Sequence, residues 1–277
     1  MSYVAFRALQ KSVKLSGLRV NYIRRGKGDH LLLIHGIPDW SYVWKGFIEP
    51  LVESRAVFLF DMVGFGYSDK RDCFDRSVKV QADIAKQFLD RMKVKAADMV
   101  AHNTGGAVAL ILASRYPKLV KRLVLVNSVC YDNWPIEPML ALANPRLKDS
   151  MTAKDFVDKM WREAIAPYIY REEKRTTELK EAWVAPYSDE EGKLSMIRNA
   201  SSLNTNHTME LVPHLKNIKV PTLLLWGEED KFELEYGEKL HKDIPRSEFV
   251  RIPKAGHYAL IDQEEEILHR TSSFLEQ

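Results

Sequence analysis

A chain of 277 residues with 45% hydrophobic content supplies one large core, and its length suits an α/β domain carrying an insertion. Its 41 basic and 38 acidic residues leave a net charge of +3, too weak and too interspersed to point to nucleic acid or an anionic membrane surface. Two cysteines, Cys73 and Cys130, make neither a disulfide framework nor a metal site and read as reduced thiols of a cytoplasmic protein.

Lys11–Leu15 and Leu18–Arg24 alternate apolar and polar residues about Ser16-Gly17, which predicts an edge hairpin. Leu31–Ile34 is an apolar run too short for a helix and predicts a strand buried on both faces. It leads into His35-Gly36-Ile37-Pro38. Trp40–Val52 reads as helical from Val43 onward, and Ala56–Phe60 as a second buried strand before a glycine-punctuated loop, Asp61–Asp69. Ser77 is placed to cap a helix from Val78 to about Met92 with Val80, Ile84 and Phe88 on one stripe. A short apolar strand ends near Val100-Ala101, a helix runs from Gly105 to Tyr116 and stops before Pro117, and Leu123–Val126 is again a buried strand.

From Cys130 to Leu211 the character changes: no four-residue β run occurs, and three or four amphipathic helical patterns carry Trp134, Trp161, Tyr168, Tyr170, Trp183 and Tyr187. Strands resume at Thr222–Trp226 and Phe249–Ile252, and Glu264–Leu275 closes the chain as a helix. Alternating strands and helices predict a mostly parallel sheet flanked by helices, with a core of residues 1–129 and 212–277 and a helical cap of residues 130–211. Met1–Leu15 holds no continuous apolar core of a signal peptide, and no run reaches membrane-spanning length.

The stretch Val100-Ala101-His102-Asn103-Thr104-Gly105-Gly106 joins an apolar strand to an apolar helix through small residues. It resembles the nucleophile elbow of the α/β-hydrolase family, where the residue between two small positions projects over the sheet. That family uses Ser, Asp or sometimes Cys there, whereas this chain has Asn103, a poor nucleophile isosteric with Asp. The economical reading is the Asp-using branch, which includes haloalkane dehalogenases, haloacetate dehalogenases and epoxide hydrolases, with the Asp become Asn.

The resemblance implies the remaining parts. Gly256-His257 after the last strand matches the loop of the catalytic His, and Gly227-Glu228-Glu229-Asp230 matches the turn of the triad acid, in the family's chain order. His35-Gly36-Ile37-Pro38 resembles the H-G-x-P loop, so the backbone N–H groups of Ile37 and Thr104 are implied as the oxyanion or halide donors. His35, Trp40, His102, Tyr131, Trp134, Tyr168 and Trp183 are candidates for the substrate pocket. In the Asp branch a carboxylate attacks saturated carbon, and His257 then activates the water that cleaves the ester.

Substrate is less legible. Haloalkane dehalogenases commonly carry Trp after the nucleophile and Asn after the first Gly, where this chain has Thr104 and Ile37. The Arg that haloacetate dehalogenases place beside the elbow has no counterpart between Asn103 and Arg115. Epoxide hydrolases keep H-G-x-P and protonate the epoxide oxygen with cap tyrosines, for which Tyr131, Tyr168, Tyr170 and Tyr187 are available. The expectation is a hydrolase without cofactor or metal, acting on a small apolar alkyl halide or epoxide, nearly inactive with Asn103 in place. Two other readings stay open: an esterase or carbon–carbon hydrolase whose Ser was replaced, and a pseudoenzyme that binds a small ligand. No nucleic-acid or membrane partner is expected, and the oligomeric state is open.

Overall fold

The computed structural model describes all of residues 1–277. Eight strands form one sheet: β1 (Lys11–Leu15), β2 (Leu18–Arg25), β3 (Asp29–Ile34), β4 (Arg55–Phe60), β5 (Ala97–Asn103), β6 (Val120–Ser128), β7 (Thr222–Gly227) and β8 (Ser247–Ile252). Their spatial order is β1-β2-β4-β3-β5-β6-β7-β8. The β1–β2 hairpin turns at Ser16 and Gly17, both at positive φ, and β2 joins β4 antiparallel. Every other pairing is parallel. Leu31, Leu32, Leu33 and Ile34 of β3 are all fully buried, as a strand covered on both faces requires. Each such side chain contributes about 2 kcal/mol of burial free energy.

Helix α1 (Tyr3–Leu9), capped by Ser2, is not foreshadowed by the sequence, because it buries only Phe6, which packs edge-on against Trp40 and Tyr42. The segment expected to be helical from Val43 is instead a 3₁₀ turn at Ser41–Trp44 followed by α2 (Ile48–Val52). Pro50 is tolerated there because it lies in the first turn of α2, where its missing N–H has no partner to lose. Helix α3 (Val78–Arg91) starts at Ser77 as predicted and buries Ile84 and Phe88, but Val80 is only half-buried. Helix α4 (Thr104–Arg115) is buried over nearly its whole length, as a helix between sheet and neighbouring helices must be.

Between β6 and β7 the chain is entirely helical or looped. The predicted three or four helices correspond to Ala153–Met160, Thr177–Val184 and Glu190–Ser201, and shorter helical pieces such as Glu137–Leu142 join them. Pro138, Pro145, Pro167, Pro186 and Pro213 fall at or near the starts of the short pieces, since proline cannot sit inside a hydrogen-bonded turn. No helix is long and apolar enough to cross a membrane. Because the central strands are parallel, the loops after β3, β5, β6, β7 and β8 all leave the same sheet edge, which faces the helical segment.

Candidate active site

Asn103 ends β5 with φ 52° and ψ −125°, a backbone conformation that disfavours any side chain and costs about 1–3 kcal/mol. The turn is possible only because its neighbours are small. A Cβ on Gly36 would run into the Asn103 side chain, and one on Gly105 would meet the carbonyl oxygens of Ile34 and His35. The strain presents Asn103 above the sheet edge while leaving it buried.

Its amide is held at both ends. Oδ1 accepts from the backbone N–H of Ile37 at 3.0 Å and of Thr104 at 2.6 Å. With the oxygen fixed by two donors, Nδ2 must face His257, whose Nε2 lies 2.8 Å away and therefore accepts. The His257 proton is then on Nδ1, which donates to Asp230 Oδ2 at 3.0 Å. Asp230 also accepts from Asn127 Nδ2 at 2.6 Å and from the Phe232 N–H at 3.0 Å, so its carboxylate is fully satisfied although buried. The Phe232 ring stacks on the His257 ring at 4.3 Å between centroids and limits its rotation. Residues 103, 230 and 257, far apart in sequence, thus form one continuous relay. Such a relay can hold an oxygen anion at the two N–H donors and take a proton at Nε2.

The cavity above Asn103 is walled by Ile37, Val129, Trp134, Ile136, Met139 and Leu203 among others, with Tyr168 bearing the one phenol not committed elsewhere. No Lys or Arg lines it. Its volume is about 20 Å³, room for about one water molecule. Burial, and then the charge of Asp230, push the Tyr168 phenol up from its ordinary value, so it stays a donor.

Of the pocket candidates read from sequence, Trp134 and Tyr168 line this cavity and the other five do not. His35 is locked under the loop, accepting from the Met62 N–H at Nε2 and donating to the Gly36 carbonyl from Nδ1. Trp40 donates to the Trp183 carbonyl within a cluster of Phe6, Tyr42 and Tyr67, and Tyr131 donates to Asp243. Trp183 packs against Tyr258, and His102 is engaged by Asp39 and by the His257 carbonyl. Even Trp134 shows the cavity only its ring, because its Nε1 donates to Thr208 Oγ1 at 2.8 Å. Tyr170 is exposed and Tyr187 donates to the Asp39 carbonyl.

Sequence reading passed over Asn127, Phe232, Tyr258 and Asp39. Asp39 had a signal: a carboxylate directly after Ile37-Pro38 and before Trp40, among residues that have to be buried, needs a partner. Asn127 had one too, as the polar residue closing the apolar run of β6.

The family model described as alpha/beta hydrolase fold matches residues 29–264. A cis-3-alkyl-4-alkyloxetan-2-one decarboxylase of Shewanella oneidensis is 27% identical over 94% of this chain and 86% of its own length. Epoxide hydrolase 4 of Mus musculus is 29% identical over 82% of this chain and 67% of its own. The crystal structure of haloalkane dehalogenase DbeA from Bradyrhizobium elkani superposes with a TM-score of 0.83 at 20% identity, covering 96% of this chain and 97% of that one, a likeness of fold.

Proposed function

The chain belongs to the alpha/beta hydrolase fold family, and on that footing we propose that its site is built to open a small, apolar, strained oxygen ring, with an amide standing where the attacking carboxylate belongs. The observation that carries this reading is the seating of Asn103: one atom of its planar group rests on two backbone N–H donors and the other faces the base. That is the footprint of a carboxylate. A Ser hydroxyl has a single oxygen and could not fill both places.

With Asp at this position, one carboxylate oxygen stays on the Ile37 and Thr104 donors and the other, at the place of Nδ2, attacks a ring carbon. The carbon–oxygen bond breaks, and the ring oxygen takes its proton from Tyr168. His257 Nε2 then removes a proton from water, which adds to the ester carbonyl while the two N–H groups hold the oxyanion. The ester bond breaks, the departing alkoxide takes the proton held at His257 Nε2, and the acid so formed returns a proton to the Tyr168 phenolate, which restores carboxylate, imidazole and phenol. The asparagine disables this twice: it lacks the anionic oxygen, and its N–H occupies the Nε2 lone pair.

Among the substrates left open by sequence, an oxygen ring is favoured over an alkyl halide. Halide needs N–H donors on the far side of the cavity, and Trp134, the indole on its wall, already donates to Thr208. The absence of Lys and Arg from the wall speaks against the anionic substrates of carbon–carbon hydrolases. The names of the Shewanella oneidensis and Mus musculus relatives, an oxetanone decarboxylase and an epoxide hydrolase, fit the same ring class. The test assays epoxide opening, oxetan-2-one consumption, halide release and ester hydrolysis for the chain as it stands, for Asn103→Asp and for Asn103→Ser. The Asp substitution is expected to raise ring opening by on the order of 10³-fold or more. Activity gained only by Asn103→Ser, and only on esters, overturns the reading.

A further inference from the structure

The loop that carries His257 and the strip of the helical segment that carries Tyr168 are joined by one side chain. Asp262 ends the short helix Ala259–Asp262 and is buried. Its Oδ2 accepts from the N–H of Tyr170 at 3.0 Å and from the N–H of Gly256 at 2.8 Å, and its Oδ1 accepts from the N–H of Arg171 at 2.9 Å. Two of these donors follow Tyr168, and the third precedes His257. No other group accepts from any of the three. The two backbones also meet directly: the Tyr258 N–H donates to the Tyr168 carbonyl at 3.2 Å, and a Cβ on Gly256 would lie 2.7 Å from that same oxygen.

We propose that Asp262 is a positioning residue for ring opening: it fixes the proton donor Tyr168 to the loop of the base His257, so that acid and base keep one spacing while other parts of the helical segment move. The proposal rests on the role given to Tyr168 in the proposed function. The Tyr168 ring stands edge-on to the His257 ring at 6.3 Å between centroids, and Lys231 Nζ lies over it at 4.8 Å. With the ring confined in this way, the place of its hydroxyl follows its main chain, which Asp262 holds through the next two residues but one. Ring opening needs that hydroxyl within hydrogen-bond reach of the departing oxygen while the carboxylate attacks the carbon.

Both oxygens of Asp262 are needed for this. An amide in its place offers one oxygen and turns an N–H toward at least one of the three backbone donors. Asp262→Asn therefore loosens the join at a point remote from the cavity, without altering Tyr168, His257 or any residue of the cavity wall.

Amide hydrogen exchange on the chain as it stands reads the join without any turnover. In Asp262→Asn the N–H groups of Tyr170, Arg171 and Gly256 are expected to exchange about tenfold faster or more, with the strands of the sheet unaffected. Gly256→Ala is the second variant, since it keeps the carboxylate but drives a methyl group at the Tyr168 carbonyl, and it is expected to release the Tyr258 N–H as well. Unchanged exchange in both variants overturns the proposal. The positioning role is read in Asn103→Asp by a double-mutant cycle on the single-turnover rate of epoxide opening. Adding Asp262→Asn is expected to lower that rate about tenfold with KM little changed, and to lower it by less than about twofold when Tyr168 is already Phe. Equal losses with and without the phenol mark a merely structural role and overturn the proposal. Complete inactivity of Asn103→Asp contradicts the proposed function instead, and the exchange result then decides the join by itself.

Discussion

In the function proposed above, a single amide nitrogen separates the present site from a working one. Asn103 places its oxygen on the Ile37 and Thr104 donors and its nitrogen on His257, so its own carbonyl sits where an ester carbonyl would during hydrolysis. Whenever the Asn103 N–H leaves the Nε2 lone pair, water activated there can add to the Asn103 amide itself, expelling ammonia that leaves with a proton from Nε2. The elbow peptide of stored protein is expected to gain about 1 Da, in step with a rise in ring-opening activity. Mass spectrometry over days checks this, with His257→Gln as a control that should not drift; equal drift in both contradicts it. Tyr168 carries the other residue-level prediction. Held above its ordinary value by burial and by Asp230, its phenol remains protonated at neutral and mildly alkaline pH, and acid assistance fails only as it ionises. In Asn103→Asp, the change Tyr168→Phe is expected to slow epoxide opening by about 10²-fold and to leave cleavage of a preformed ester nearly unchanged. Steady-state and single-turnover rates separate the two steps.

The helical segment is tied to the sheet by a few buried polar struts. Arg76, ahead of α3, donates to Ser195 Oγ at 2.8 Å, to Asn199 Oδ1 at 2.6 Å and to the Lys70 carbonyl at 2.9 Å. Burial lowers its guanidinium to about 10, which still leaves it cationic at neutral pH. Truncation as Arg76→Ala strips Asn199 and Ser195 of their donor, and is expected to lower stability by about 3 kcal/mol in urea titrations. The loop beneath it depends on Asp69, whose carboxyl is held down to about 2 by hydrogen bonds from Arg71 and which accepts from the Arg19 N–H. Its unfolded value is about 4, so its stabilisation is complete above about pH 4 and drains away as pH falls toward about 2. Asp69→Asn should flatten the acid limb of a pH series of urea midpoints; an unchanged slope contradicts the assignment.

These elements also mark where sequence reading ends. The strands were legible because runs such as Leu31–Ile34 and Thr222–Trp226 can only be buried, and the relay was legible because Asn103, Asp230 and His257 lie in recognisable turns at strand ends. The helical character of residues 130–211 was legible too, but its division into short pieces and its anchoring were not, because the helices are cut by prolines and held by tertiary struts such as Arg76, which carry no periodic signal. Trp40 and Tyr131 misled for a related reason: an aromatic side chain in the right stretch has two faces, and only packing decides which meets the cavity.

At the scale of the whole molecule, a parallel sheet delivers the loops after β3, β5, β7 and β8 to one edge, and the helical segment closes over them. The space left above Asn103 is narrow, and a substrate is expected to enter as that segment shifts. The cavity wall is apolar, and affinity must come from buried area, with a larger alkyl group bound more tightly until the wall resists. The account as a whole rests on position 103 being a carboxylate's seat. Its most direct test is the mass of the elbow peptide from the double variant Asn103→Asp, His257→Gln after incubation with an epoxide. With attack intact and the water step disabled, the peptide should carry one covalently attached substrate at position 103. A peptide of unchanged mass, alongside diol formation by Asn103→Asp, would show that the ring is opened without that ester and would contradict the central claim.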